Sequence, residues 1–253
     1  MMKIVKVPSN YGGLEKADGV ELAPDKVIEE MKDIYLNEQY RKKEIEIVEI
    51  ERRKLEDGNK IIEAYDGDVF IGGDHSISYH SFKGFAGNYK NPGLIVFDAH
   101  PDVYELFEFP SHQDWLRHLI KDGLLKKENV AIIGLRNVDR KELDYLRENK
   151  IRIYDINQVW ENREDVCDNI MEFARNFDGL YLSIDVDVID PSMAPGTGYI
   201  EPGGMTVREL VYFLHRLKML KNLARMDIVE INPKKDVNNM TSRLGAKIIS
   251  EMM

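Results

Sequence analysis

A chain of 253 residues, 43% hydrophobic and 32% charged, suits one large α/β domain with a sizeable core. Its net charge of −10 and lack of any long basic run exclude a phosphate-tracking nucleic-acid surface and would steer a cationic partner instead. With Cys167 as the only cysteine, an intrachain disulfide and a thiolate metal cluster are excluded. No apolar run reaches about 18 residues and the N-terminus lacks a signal-like core, so no membrane contact and a reducing, cytoplasmic home are expected.

In chain order, residues 3–7 alternate as a first strand. A glycine-bearing loop over 8–24 leads to a helix near 25–35. Residues 44–51 alternate with one slip, at Ile47-Val48, and predict an edge strand. A short helix over 59–65 precedes an apolar strand at 68–71, which ends in Gly72-Gly73-Asp74-His75. The glycines allow close backbone approach, and Ser76 is placed to cap a helix over 77–85.

Leu94-Ile95-Val96-Phe97 reads as a strand buried on both faces, as in a helix-covered parallel sheet. Asp98, His100 and Asp102 follow at alternate positions, which share a face if the strand direction persists. Pro101 keeps the chain out of helix there. Beyond it the pattern predicts a helix over 113–121, a strand over 130–134, a helix over 140–149, a strand over 151–156 and a helix over 163–177. Cys167 lies in that last helix as a core residue.

A further apolar strand at 180–184 runs into Asp185-Val186-Asp187, followed by a long loop over 191–204. Thr206 and Glu209 form a capping box for a helix reaching 221. The last strand, 224–231, carries Glu230 at its end, and a final helix starts near 239. Strand and helix alternate throughout, which predicts a single three-layer α/β/α domain over 1–253 with a mostly parallel central sheet of about eight strands.

Three apolar strands thus finish in Asp or His, where ligands gather in open α/β sheets. Asp98, Asp102, Asp185 and Asp187 bring four negative charges, which two divalent ions balance. Without metal the carboxylates would repel and raise one another's pKa values. Together with His75 and His100 they make six ligands for two ions about 3.5–4 Å apart. Oxygen-rich ligation with two imidazoles suits manganese and tolerates zinc, iron, cobalt or nickel.

Gly72-Gly73-Asp74-His75-Ser76, Asp98-Ala99-His100-Pro101-Asp102 and Ser183-Ile184-Asp185-Val186-Asp187-Val188-Ile189-Asp190-Pro191 resemble the signatures of the arginase/agmatinase (ureohydrolase) family. Gly134-Leu135-Arg136, Pro195-Gly196-Thr197-Gly198, Glu201-Pro202-Gly203-Gly204 and Glu230-Ile231-Asn232-Pro233 extend the resemblance over nearly the whole chain. It implies an arginase-like fold and two Mn2+ per chain. His75, Asp98, Asp102 and Asp185 would hold one ion and Asp98, His100, Asp185 and Asp187 the other, with Asp98 and Asp185 bridging. A bridging hydroxide would attack the carbon of a small guanidino cation, expelling an amine and leaving urea.

By the same resemblance Asp102 orients the hydroxide and takes its proton, Glu230 binds the guanidinium, and His112 shuttles a proton to the leaving amine. His112 lacks the family's His-Gly context. Tyr104 stands where arginases carry asparagine, as agmatinases often do, whereas Asp139 matches an arginase residue facing the substrate's α-amino group. Tyr199-Ile200 replaces the commoner Thr-Pro. His80, His118 and His215 read as surface or packing residues. The alternatives are a formimidoyl or other amide hydrolase on the same two-metal site, and a non-catalytic metal-binding homologue. The family's trimers and hexamers imply a homo-oligomer, from dimer to hexamer.

Overall fold

The computed structural model describes residues 1–14, 17–55 and 59–253. Its strands are β1 (Met2–Lys6), β2 (Ile45–Glu49), β3 (Val69–Ile71), β4 (Pro92–Phe97), β5 (Val130–Leu135), β6 (Arg152–Asp155), β7 (Gly179–Asp185) and β8 (Leu223–Val229). They hydrogen-bond in the order β2-β1-β3-β8-β7-β4-β5-β6, and every pairing is parallel. The sheet expected to be mostly parallel is wholly so among the described residues.

The helices are α1 (Ala23–Met31), α2 (Ile77–Ala86), α3 (Trp115–Lys121), α4 (Arg140–Asn149), α5 (Ile156–Ala174), α6 (Val207–Leu217) and α7 (Met240–Glu251). Alternate residues of the central strands feed two separate cores. Ile95, Phe97, Leu182 and Ile184 pack with α1, α5, α6 and α7, while Leu94, Val96 and Tyr181 pack with α2, α3 and α4. This double covering is why β4, β5 and β7 read as continuous apolar runs rather than alternating ones. Cys167 is buried in the first core. No described helix is long and apolar enough to cross a membrane.

Several local expectations are refined. The 44–51 segment is an edge strand, β2, pairing only with β1. Ser76 does not cap α2 through its side chain; its hydroxyl lies 3.3 Å from Asn59 Nδ2, and the Asp74 carboxylate takes the Ser76 amide at 3.0 Å. The 59–65 helix is a 3-10 turn, Lys60–Ala64. The helix expected from 163 begins at Ile156, because Asp155 and Gln158 form a capping box, and non-helical backbone at Asn162 (φ −137°) kinks it. The Thr206–Glu209 capping box is present and starts α6.

Candidate metal centre and its pocket

An all-parallel sheet brings every strand's carboxyl end to one edge, and neighbouring β3, β8, β7 and β4 supply the site there. Gly73, after β3, passes so close to the first loop that a Cβ on it would stand 1.7 Å from the Ser9 carbonyl oxygen. Only glycine fits. The turn delivers His75, fully buried, with Nδ1 at 2.9 Å from Asp102 Oδ2, 3.2 Å from Asp98 Oδ2 and 3.3 Å from Asp185 Oδ2. Ligand atoms in neighbouring positions around an octahedral ion with bonds of about 2.1 Å are about 3 Å apart. His75 Nδ1 and Asp98 Oδ2 are buried without a hydrogen-bond partner, which an ion between them would cure.

A second group adjoins the first. His100 Nδ1 lies 3.0 Å from Asp187 Oδ2 and 3.6 Å from Asp98 Oδ1. Among the described residues the two candidate metal groups are His75–Asp98–Asp185 and Asp98–His100–Asp187. Asp98 therefore offers one oxygen to each. Asp185 faces the cluster with Oδ2, while its Oδ1 accepts from the Asp187 amide at 2.8 Å. The residues fit two divalent cations by donor type and spacing, and the orphaned atoms mark the His75 group.

Convergence does not come from a persisting strand. β4 ends at Phe97, Asp102 adopts φ +52°, and Asp187 sits in a 3-10 turn, Val186–Val188. Tight turns, rather than strand alternation, aim these carboxylates.

The tautomer of His75 follows from the groups behind it. Asp227, fully buried, accepts from Ser78 Oγ, Tyr181 OH and Ser183 Oγ, each at 2.6 Å. Burial pushes the Asp227 carboxyl upward, while His75 and these three hydroxyls act to lower it. Since Ser183 gives its proton to Asp227, its oxygen can only accept from His75 Nε2, 2.9 Å away. Nδ1 thus carries the lone pair, aimed at the ion position. Ser183→Ala should strand the buried Nε2–H and weaken one of two metal equivalents about 10–100-fold, read by calorimetric manganese titration. Unchanged affinity would refute this tautomer.

Above the cluster opens a cavity of about 360 Å³. His100, Asp102, Asp185 and Asp187 form its floor, and His112, Tyr104, Asp139 and Glu230 line it as well; His75 and Asp98 lie beneath. Glu230 (φ +61°) is held by its own amide donating to Gly73 O and by His75 N donating to Oε1, both at 2.8 Å. Left-handed backbone is costly for a non-glycine residue, and both Asp102 and Glu230 adopt it at this site. Burial, with the Asp74 charge, pushes the Glu230 carboxyl up to about 8; burial and the Asp98 charge push Asp102 up to about 6.

His112 is buried rather than on the surface. Its Nδ1 lies 3.1 Å from the Gly12 carbonyl, which can only accept, so Nε2 carries the lone pair, 3.3 Å from Tyr199 OH. Burial lowers its pKa, which leaves it neutral near pH 7. Asp139 caps α4 through Oδ1, accepting from Lys141 N at 2.8 Å. His118 and His215 pair with Asp114 and Glu251, and His80 with Glu63, away from the cavity lining.

Four further lining residues carry no site role in the sequence reading: Gln113, Asn137, Glu142 and Tyr199. Glu142 accepts from Val103 N at 3.2 Å and Asp139 N at 3.3 Å, and burial with the Asp102 charge pushes it up to about 7. The Asp139-x-x-Glu142 spacing signals a helix cap and so hides a pocket residue. Asn137 Nδ2 stands 3.3 Å from His100 Nε2; with its amide oxygen turned there instead, His100 Nδ1 is left for an ion. Arg136 bonds the carbonyls of Asp187 and Glu201 at 2.6 and 2.8 Å, pinning the loop that carries Tyr199.

A helix-covered parallel sheet with a carboxylate–imidazole cluster at its carboxyl edge places the chain among α/β/α proteins with a candidate metal-binding centre. Within that class the chain belongs to the Arginase family, whose pattern matches residues 2–253. The chain is 32% identical over 220 residues to an arginase of Staphylococcus aureus (strain MRSA252), covering 81% of this chain and 73% of the relative. It is 31% identical over 188 residues to the mitochondrial arginase 1 of Arabidopsis thaliana, covering 73% and 53%. The crystal structure of an arginase from Bacillus subtilis superposes with a TM-score of 0.87 at 25% identity, covering 100% of this chain and 98% of that one. Formimidoylglutamase from the same species shares the fold, with a TM-score of 0.89 at 23% identity, covering 100% and 86%.

Proposed function

We propose that this chain hydrolyses the C–N bond of a guanidino group in a small cationic substrate and releases urea, with agmatine favoured over arginine. The observation that carries it is the pair of ligand groups sharing Asp98 beneath a cavity lined by Glu230. The ligands His75, Asp98, His100, Asp102, Asp185 and Asp187 suit two manganese ions. When bound, such a pair supplies Lewis-acid polarisation and lowers the pKa of water toward neutrality.

The chain's own groups do the rest. Glu230 pairs with the flat guanidinium, which favours its charged form and orients the carbon toward the floor. Asp102 takes the proton of the attacking water. His112, neutral with its lone pair on Nε2, takes up there the proton removed from the water and gives it to the leaving nitrogen, so the C–N bond breaks to release a neutral amine. Atoms balance: water adds to carbon, the C–N bond breaks, and urea and amine leave.

The cavity lining supports the choice of substrate. It includes Asp139, Glu142 and Tyr104, and no lysine or arginine is among the described lining residues. A distal ammonium meets acidic groups there, whereas a carboxylate would meet like charge. This disfavours arginine's α-carboxylate and amidines borne on acidic amino acids. Urea release by manganese-loaded protein over agmatine, arginine and 4-guanidinobutyrate tests the reading, with kcat/KM at least about tenfold higher for agmatine than for guanidinobutyrate, a difference of about 1.4 kcal/mol. No urea from any of them would overturn it; formamide from a formimidoyl substrate would transfer the site to that reaction.

A further inference from the structure

Trp115 opens α3 and is wholly buried, where an indole N–H needs an acceptor. That acceptor is a site carboxylate: Nε1 donates to Asp102 Oδ2 at 2.7 Å. The same oxygen stands 2.9 Å from His75 Nδ1, so the indole grips the atom of Asp102 that faces the ion position. Its ring also packs against the His75 imidazole, with centroids 4.7 Å apart and planes 38° from parallel. One side chain therefore braces two of the residues on the His75 side of the centre.

Asp102 needs such a brace. Its left-handed φ of +52° persists in a non-glycine residue only where the surroundings over-determine it. The next amide, Val103 N, is held by Glu142, which secures the backbone beyond Asp102 but not its side chain. The indole can donate but not accept, so it supplies no ligand atom to a metal ion and acts through Asp102 and His75.

We propose that Trp115 is a positioning residue of the reaction, its N–H fixing the Asp102 carboxylate and its ring the His75 imidazole in the orientation that holds the His75-side ion. This rests on the two-metal reading above. A phenyl ring in its place keeps most of the packing and removes the single donor.

The only other tryptophan, Trp160, is 73% exposed on α5, so Trp160→Phe leaves Trp115 as the sole indole emitter. Adding manganese to the metal-free W160F protein should change Trp115 emission in step with metal uptake measured by atomic absorption. In Trp115→Phe, one of two manganese equivalents should bind at least about tenfold more weakly, kcat should fall at least tenfold, and KM should stay within about twofold. The melting temperature of the metal-free protein should remain close to that of the parent. If W115F does not fold, the W160F titration decides alone. Metal uptake without a change in Trp115 emission, or wild-type metal affinity in W115F, overturns this inference and leaves the two-metal reading intact. A parent protein that takes up no manganese overturns both.

Discussion

Asp98→Asn should leave a folded protein that retains less than one metal ion per chain and loses at least about 10³-fold in kcat/KM. Asp98 is the one residue in both ligand groups, with Oδ2 near His75 and Oδ1 near His100. Removing its charge therefore weakens two sites at once. Metal assistance to charge development is worth several kcal/mol, and each 1.36 kcal/mol is tenfold in rate. The fold should survive because asparagine is nearly isosteric and the Asp98 amide still donates to the Ile133 carbonyl at 3.0 Å. Metal analysis beside steady-state urea kinetics reads both effects. Two retained ions with wild-type turnover would remove Asp98 from the centre.

Chelation should abolish activity and lower the melting temperature, and the drop should widen as pH rises. An ion present at about 1,000 times its Kd stabilises by about 4 kcal/mol, which for a chain of this size is roughly 10 °C. The sign with pH follows from the metal-free groups. In His100, burial alone would lower the pKa, but Asp187 and Asp98 outweigh it and drive the imidazole up to about 12. Its stabilising contribution is thus fully present below the unfolded value near 6.5 and lost as pH climbs toward 12. Asp102 and Glu230, pushed up to about 6 and about 8, bind more protons when folded and likewise cost stability as pH rises through those values. Ion binding runs the other way, since it must displace protons from the same ligands. Melting curves with and without chelator at pH 6 and pH 8.5 test this, and a gap that narrows toward alkali would contradict it.

The sheet was largely legible in the sequence because a parallel sheet covered on both faces needs long Val, Ile and Leu runs, and 94–97, 130–134 and 180–184 supply them. The candidate metal cluster is legible because carboxylates and imidazoles directly after such runs are too costly to leave without a purpose. What failed was the local mechanism. Strand alternation was to aim Asp98, His100 and Asp102, yet the strand stops at Phe97 and a left-handed turn aims Asp102. Ser76 reads as a cap, but the amides its hydroxyl would take, those of Ser78 and Tyr79, donate instead to the carbonyls of His75 and Ser76. The wall of the cavity was least legible. Tyr199 arrives on a loop tethered by Arg136, and Glu142 is disguised as a capping residue. Such placements depend on long-range contacts that carry no local period.

The position of β8 has a consequence for how this molecule is made. The last strand in the chain lies in the middle of the sheet, between β3 and β7. Until residues 223–229 have been synthesised, β3 and β7 each present an unpaired row of backbone donors and acceptors. A ribosome-bound or prematurely terminated product would therefore carry two sticky borders at once, inviting association with other nascent chains. Insertion of one seven-residue strand seals both and brings in Glu230, so competence for chemistry and protection from aggregation arrive in the same late step of assembly.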